Sequence, residues 1–110
     1  MATAQDFFAI DMRVGTIVQA ELFAEARKPS FKLVIDFGPE LGTKRSSAQL
    51  TMHYTPDQLV GRQIVAAVNI GSRRIAGYTS EVLVLGAMPT ETAVVLLAVD
   101  RSVADGTRIG

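Results

Sequence analysis

Phe31-Lys-Leu-Val-Ile-Asp-Phe37 places Phe31, Leu33, Ile35 and Phe37 on one side and Lys32, Val34 and Asp36 on the other. That period of two predicts a half-buried strand. Val14 to Phe23 predicts another, with Val14, Val18, Ala20 and Leu22 set against Arg13, Gln19 and Glu21. Gly15 has no side chain to pack and predicts a bend or bulge there. Gly38-Pro39-Glu40-Leu41-Gly42 punctuates a turn, and Thr43 to Met52 follows as a more polar strand carrying Lys44, Arg45, Ser46, Ser47 and Gln49. Thr55-Pro56-Asp57-Gln58 predicts a helix start, with a hydroxyl cap, proline at the first position and Gln58 reaching back; Gly61 stops it after one to two turns. Gln63 to Ile70 and Val82 to Gly86 predict further strands, and Val94 to Val99 a sixth extended piece.

Three strands, a short helix and more strands, with no linker or repeat, predict one domain over residues 1–110. The class is all-β with a short helix, an OB-fold five-stranded barrel; a small antiparallel sandwich is the competing arrangement. The chain is 48% hydrophobic and 20% charged, which excludes a disordered tail. With no cysteine there is no disulfide, thiolate nucleophile or cysteine zinc site, and His53 is the only histidine. His53 reads as a surface or edge residue beside Tyr54, or at most as a nucleic-acid contact. No Gly-x-Ser-x-Gly, Gly-x-Gly-x-x-Gly or P-loop pattern is present, so the expectation is a binding protein with no catalytic residue, no metal and no cofactor. The N-terminal residues carry two aspartates and no early basic residue, unlike a secretory signal. The longest apolar run, Ala93 to Val99, falls far short of the roughly twenty residues of a membrane-spanning helix. The expected location is cytoplasmic, with no membrane span.

Net charge is zero, but its distribution is uneven. From Arg27 to Arg74 eight basic residues face three acids, giving +5, and the remainder carries −5. Such a dipolar chain can bind a polyanion locally while its acidic remainder suppresses indiscriminate binding. Within the basic stretch, Asn69-Ile-Gly-Ser-Arg-Arg-Ile-Ala-Gly-Tyr-Thr-Ser-Glu81 connects two predicted strands. Arg73 and Arg74 there sit beside Asn69, Ser72, Thr79 and Ser80, with Gly71 and Gly77 allowing close backbone approach. Guanidinium forks and short polar side chains suit phosphate, although an ordinary solvated hairpin loop has the same composition. Only Tyr54 and Tyr78 remain as exposed stacking candidates, since Phe31 and Phe37 fall on a core face. Recognition of folded RNA by backbone and shape is therefore expected over extended single-strand stacking.

Asp11-Met-Arg-Val-Gly-Thr-Ile-Val-Gln-Ala-Glu21, Phe31 to Gly38, Tyr54-Thr-Pro-Asp-Gln-Leu-Val-Gly61, Asn69 to Arg74 and Gly77-Tyr-Thr-Ser-Glu81 together resemble the tRNA-binding domain found in free-standing proteins and in extensions of some aminoacyl-tRNA synthetases. Within that family, Arg45-Ser-Ser-Ala-Gln-Leu-Thr51 and Arg74 to Ala87 are most similar to the bacterial CsaA type. Synthetase-linked relatives carry Ser-Glu-Gly-Met where this chain has Ser80-Glu81-Val82-Leu83. The resemblance implies an OB-fold homodimer that binds tRNA and acts as a chaperone toward unfolded or exported polypeptides, without catalysis. It implies Lys32, Ser46, Ser47, Asn69, Arg73, Arg74 and Ser80 as the RNA-facing set. Lys32 and Ser46 are expected on one polar face of adjacent strands, with Arg27 and Lys28 as second-rank candidates. Arg13 reads equally as a structural ion pair or an RNA contact. Phe7, Phe8, Met88 and Ala93 to Val99 fit a dimer interface or a peptide groove, which leaves a holdase-type chaperone with secondary RNA binding as the alternative function.

Overall fold

The computed structural model describes residues 1–110. In chain order the elements are α1 (Ala4–Ala9), β1 (Met12–Leu22), β2 (Phe31–Asp36), α2 (Gly38–Leu41), β3 (Thr43–Ala48), α3 (Pro56–Leu59), β4 (Gln63–Ala67), β5 (Arg73–Ile75), β6 (Tyr78–Ser80), β7 (Leu83–Val84), β8 (Gly86–Ala87) and β9 (Val95–Leu96). Five strands form an antiparallel sheet in the order β3-β2-β1-β4-β7. Its two edges meet. The Glu81 N–H donates to the Arg45 carbonyl at 2.7 Å, the Ser47 N–H to Ser80 Oγ at 3.1 Å, and the buried Ser46 hydroxyl to the Val82 carbonyl at 3.1 Å. This seam nearly closes the sheet into a five-stranded OB-fold barrel rather than the two layers of a sandwich.

The apolar side of β2 fills the barrel as its alternation predicts. Phe31, Leu33, Ile35 and Phe37 are buried with Ile17, Leu50, Leu59, Ile64, Ala66 and Val82. Leu59 enters from α3, whose start matches the sequence signal: the Thr55 N–H donates to the Gln58 side-chain carbonyl at 3.1 Å, and Pro56 is the first helical residue.

Several elements depart from expectation. Gly15 does not mark the bulge of β1; the register slips three residues later, between Ile17 and Gln19. Gly15 is instead required by packing, because a Cβ there would lie 2.7 Å from Ile35 Cγ2 and Phe37 Cδ1. The bulge changes the strand's phase, so Val18 and Leu22 are exposed rather than core. The turn at 38–42 contains a helical turn, α2, and Thr43 to Met52 is a strand only as far as Ala48. Val82 to Gly86 divides into β7 and β8, and only Val95 and Leu96 of the last predicted piece are paired. The unexpected α1 has a readable cap: Thr3 Oγ1 accepts from the Asp6 N–H, and Asp6 Oδ2 from the Thr3 N–H. No residue of α1 is buried.

The C-terminal segment straps β1 along the edge that β2 has not yet taken. Gly106 N–H donates to the Val14 carbonyl, Val14 N–H to the Thr107 carbonyl, and Ile109 N–H to the Met12 carbonyl, at 2.7 to 2.9 Å. Arg13 locks this corner by donating to Asp11 at 2.7 Å, to Glu40 at 3.1 Å and to the Gly106 carbonyl at 3.0 Å. The hydrogen bonds to the two carboxylates, Asp11 first and then Glu40, raise its pKa further. Of the two functions open to Arg13, the geometry supplies the structural one.

Candidate nucleic-acid interface

The predicted loop from Asn69 to Glu81 is a hairpin. β5 and β6 pair Arg73 with Ser80, Arg74 with Thr79 and Ile75 with Tyr78. Ala76 and Gly77 turn the chain with φ of 47° and 83°, the two positive values that match strand twist in a two-residue connection. Because side chains alternate along a strand, the adjacent arginines diverge. Arg73 shares a face with Ile75 and the buried Ser80, and lines a groove of about 700 Å³. Arg74 lies on the other face, its guanidinium 3.5 Å from Thr79 Oγ1.

The same alternation separates two serines on β3. Lys32 is opposite Ser47 and Leu33 opposite Ser46. Lys32 and Ser47 therefore face outward, whereas Ser46 points into the barrel and is fully buried. The expectation of one face shared by Lys32 and Ser46 is corrected accordingly. Ser80 is also buried at the seam, and its hydroxyl accepts from the Ser47 N–H. Asn69 is exposed, but its amide is engaged at both ends: Oδ1 accepts from the Asp11 N–H at 2.8 Å and Nδ2 donates to the Ala9 carbonyl at 2.9 Å. It fastens the end of α1 to the end of β4. Of the seven residues taken from the resemblance, Lys32, Ser47, Arg73 and Arg74 are surface groups around the hairpin, Ser46 and Ser80 lie buried at the seam beside it, and Asn69 is committed to the α1–β4 junction.

Arg45 joins this surface, which the sequence reading left in the background. Lys32 Nζ lies 4.9 Å from the Phe23 ring centroid and 5.3 Å from that of Tyr78, and Arg45 Cζ lies 5.7 Å from Tyr78. Tyr78 packs edge-on against Phe23 and donates its hydroxyl to the Leu33 carbonyl at 3.1 Å, and burial raises its pKa. It serves as a neutral platform that orients two cations rather than as a free stacking ring. Tyr54 is likewise committed, its hydroxyl accepting from the Leu96 N–H. Glu81 anchors Arg45 by accepting from its backbone N–H at 2.9 Å, the main reason its carboxyl titrates below the usual range. A recess of about 470 Å³ runs beside Lys32, Arg45 and Tyr78.

Arg27 and Lys28, from the β1–β2 connection, line the far wall of the larger groove. They form no ion pair, and neither do Arg73 and Arg74. Lys32 is within 4.0 Å of Glu25. Unpaired guanidinium and ammonium groups at a barrel mouth offer strong, ready donors to phosphate oxygens. No group of three or more histidine, cysteine, aspartate or glutamate side chains could hold a metal ion, and no helix is long and apolar enough to cross a membrane.

Residues 12–108 match the family model described as "Putative tRNA binding domain". The crystal structure of chaperone CsaA from Bacillus anthracis is 52% identical, with a TM-score of 0.95, covering 100% of this chain and 99% of that one. That of the CsaA chaperone protein from Picrophilus torridus is 45% identical, with a TM-score of 0.92 and full coverage of both chains. Methionine–tRNA ligase of Methanococcoides burtonii is 32% identical over 109 residues, 99% of this chain but 16% of the ligase. The chain thus spans about one-sixth of the length of such curated relatives. It belongs to the tRNA-binding domain family, in the CsaA-type branch.

Proposed function

We propose that this chain is a cytoplasmic tRNA-binding protein that grips RNA backbone and shape through the basic surface around the β5–β6 hairpin, without catalysis. The observation that carries this is the convergence of Arg27, Lys28 and Arg73, none with a carboxylate partner, on one groove, with Lys32 and Arg45 held over the Tyr78 ring of the same hairpin. Lys32, Ser47, Arg73 and Arg74 are the contacting members of the site; Ser46 and Ser80 hold the surface in shape from the seam, and Asn69 holds the α1–β4 junction. The family match supports tRNA as the partner.

A homodimer fits the exposed terminal apolar groups. Phe7 and Phe8, 43% and 51% exposed, are presented by a helix that buries nothing in its own barrel, and Val95 and Leu97 add to the uncovered surface. A second copy would cover them, and closed two-fold pairing is the commonest symmetry among soluble oligomers. Holding of unfolded or exported polypeptides is the second function in this proposal, supported by the same apolar exposure and by similarity to proteins named chaperones.

Sequencing the RNA and identifying the polypeptides that co-purify with the native protein tests both functions in one preparation. Enrichment of tRNA over total cellular RNA is expected. RNA in the proportions of the cell extract, or none, contradicts the RNA function; absence of bound unfolded polypeptide contradicts only the holding function.

A further inference from the structure

The groove at the barrel mouth has an apolar floor that a purely phosphate-binding surface does not need. Ile70, Leu83 and Met88, 46%, 51% and 61% exposed, all line it, facing the cations Arg27, Lys28 and Arg73. Two acids also line the groove: Glu25, drawn to Lys32 at 4.0 Å, and Glu91. The walls therefore retain three cations without carboxylate partners, against one acid, Glu91, that is not drawn to a cation. At about 700 Å³ the groove is of the size that encloses a small organic group.

A double helix cannot use both features. Paired RNA presents phosphates and groove edges while its base faces remain stacked inside, so a duplex against this mouth would leave the aliphatic floor bare. An unpaired nucleotide carries an apolar base face and a phosphate on one flexible unit, and matches floor and rim together. The divergent arginines extend the match: Arg73 faces the groove, whereas Arg74 faces away on the same short hairpin.

We propose that the mouth is a subsite for an unpaired RNA nucleotide next to a stem. The base lies on Ile70, Leu83 and Met88 with its phosphate on Arg73 and the Arg27–Lys28 wall, while the adjoining paired backbone meets Arg74 on the outer face of the hairpin. This deepens the RNA-binding proposal above and rests on it.

The test uses fluorescence anisotropy with an RNA hairpin, blunt or carrying three unpaired nucleotides on either strand, and the whole protein. The parent is expected to prefer an extended hairpin by about fivefold, as burial of one base face against aliphatic side chains implies. Ile70→Ser with Met88→Ser, at two exposed positions, should abolish that preference and leave blunt-hairpin affinity unchanged. Arg73→Ala should weaken extended hairpins more than blunt ones, and Arg74→Ala both alike. Equal parent affinity for blunt and extended hairpins would overturn the subsite while leaving RNA binding standing. Failure to bind either hairpin or tRNA would overturn both. An apolar peptide bound by the parent and lost in the serine variant, with no discrimination between hairpins, would assign the mouth to polypeptide and overturn the subsite.

Discussion

Arg73 and Arg74 share a peptide bond and face opposite ways: Arg73 is paired across the hairpin with the buried Ser80 and lines the groove, whereas Arg74 is paired with Thr79 on the outer face. In the proposed interface each would meet a different phosphate. In filter binding of tRNA across a salt series, Arg73→Ala and Arg74→Ala should each flatten the log–log slope by roughly 0.7 to 0.9, and the double variant by about the sum. A folded double variant with the parent's slope would remove both arginines from the interface.

Gly15 is a packing requirement, with room for no methyl group between β1 and the Ile35 and Phe37 side chains. Gly15→Ala should lower stability in urea unfolding by about 1–3 kcal/mol, the usual cost of overfilling a close-packed core. A loss below about 0.5 kcal/mol would mean that the core yields freely there.

The two strands with clean period-two signals were legible because one face of each is buried. In β2 the signal predicts the core residue by residue. In β1 a bulge at Val18 changes phase in mid-strand, and a local apolar count carries no trace of it. The arginine segment was legible as chemistry but not as geometry: Ala76 and Gly77 tighten what reads as a glycine-bracketed loop, and the resulting strands send neighbouring side chains apart. Ser46 and Ser47 part for the same reason, so a polar pair in sequence becomes one seam hydroxyl and one surface residue. Asn69 is an exposed amide whose tie to Ala9 and Asp11 spans some sixty positions, beyond any local pattern. Arg27 and Lys28 carry a topological signal as well, because in an OB-fold barrel the connection between the first two strands borders the ligand face.

Glu81 makes the barrel seam sensitive to acid. Its folded pKa lies below the unfolded value of about 4.3, chiefly because the carboxylate accepts the Arg45 N–H. Its stabilising contribution is therefore fully present above that value and is lost as pH falls through the folded pKa. Glu81→Gln should be less stable than the parent at neutral pH, and the gap in denaturation midpoint should close on acidification. A gap constant from neutral pH to below about pH 3 would show that ionisation of Glu81 contributes nothing to the seam.

Polypeptide holding and RNA binding should respond differently to salt. Contacts to phosphate are screened, whereas burial of apolar surface is not. Raising salt, or replacing Arg73 and Arg74, should weaken tRNA binding while leaving suppression of aggregation of a heat-denatured client intact by light scattering. Parallel loss of both activities in a folded protein would mean one shared surface.

The most direct measurement is a titration of isotope-labelled protein with tRNA, followed by backbone amide resonances residue by residue. Saturable shifts should cluster at residues 27–32, 45–47 and 73–80, with α1 and the C-terminal strap at 103–109 little changed. Saturable shifts confined to α1 and the strap, or no saturation at low salt, would contradict RNA binding at the hairpin surface.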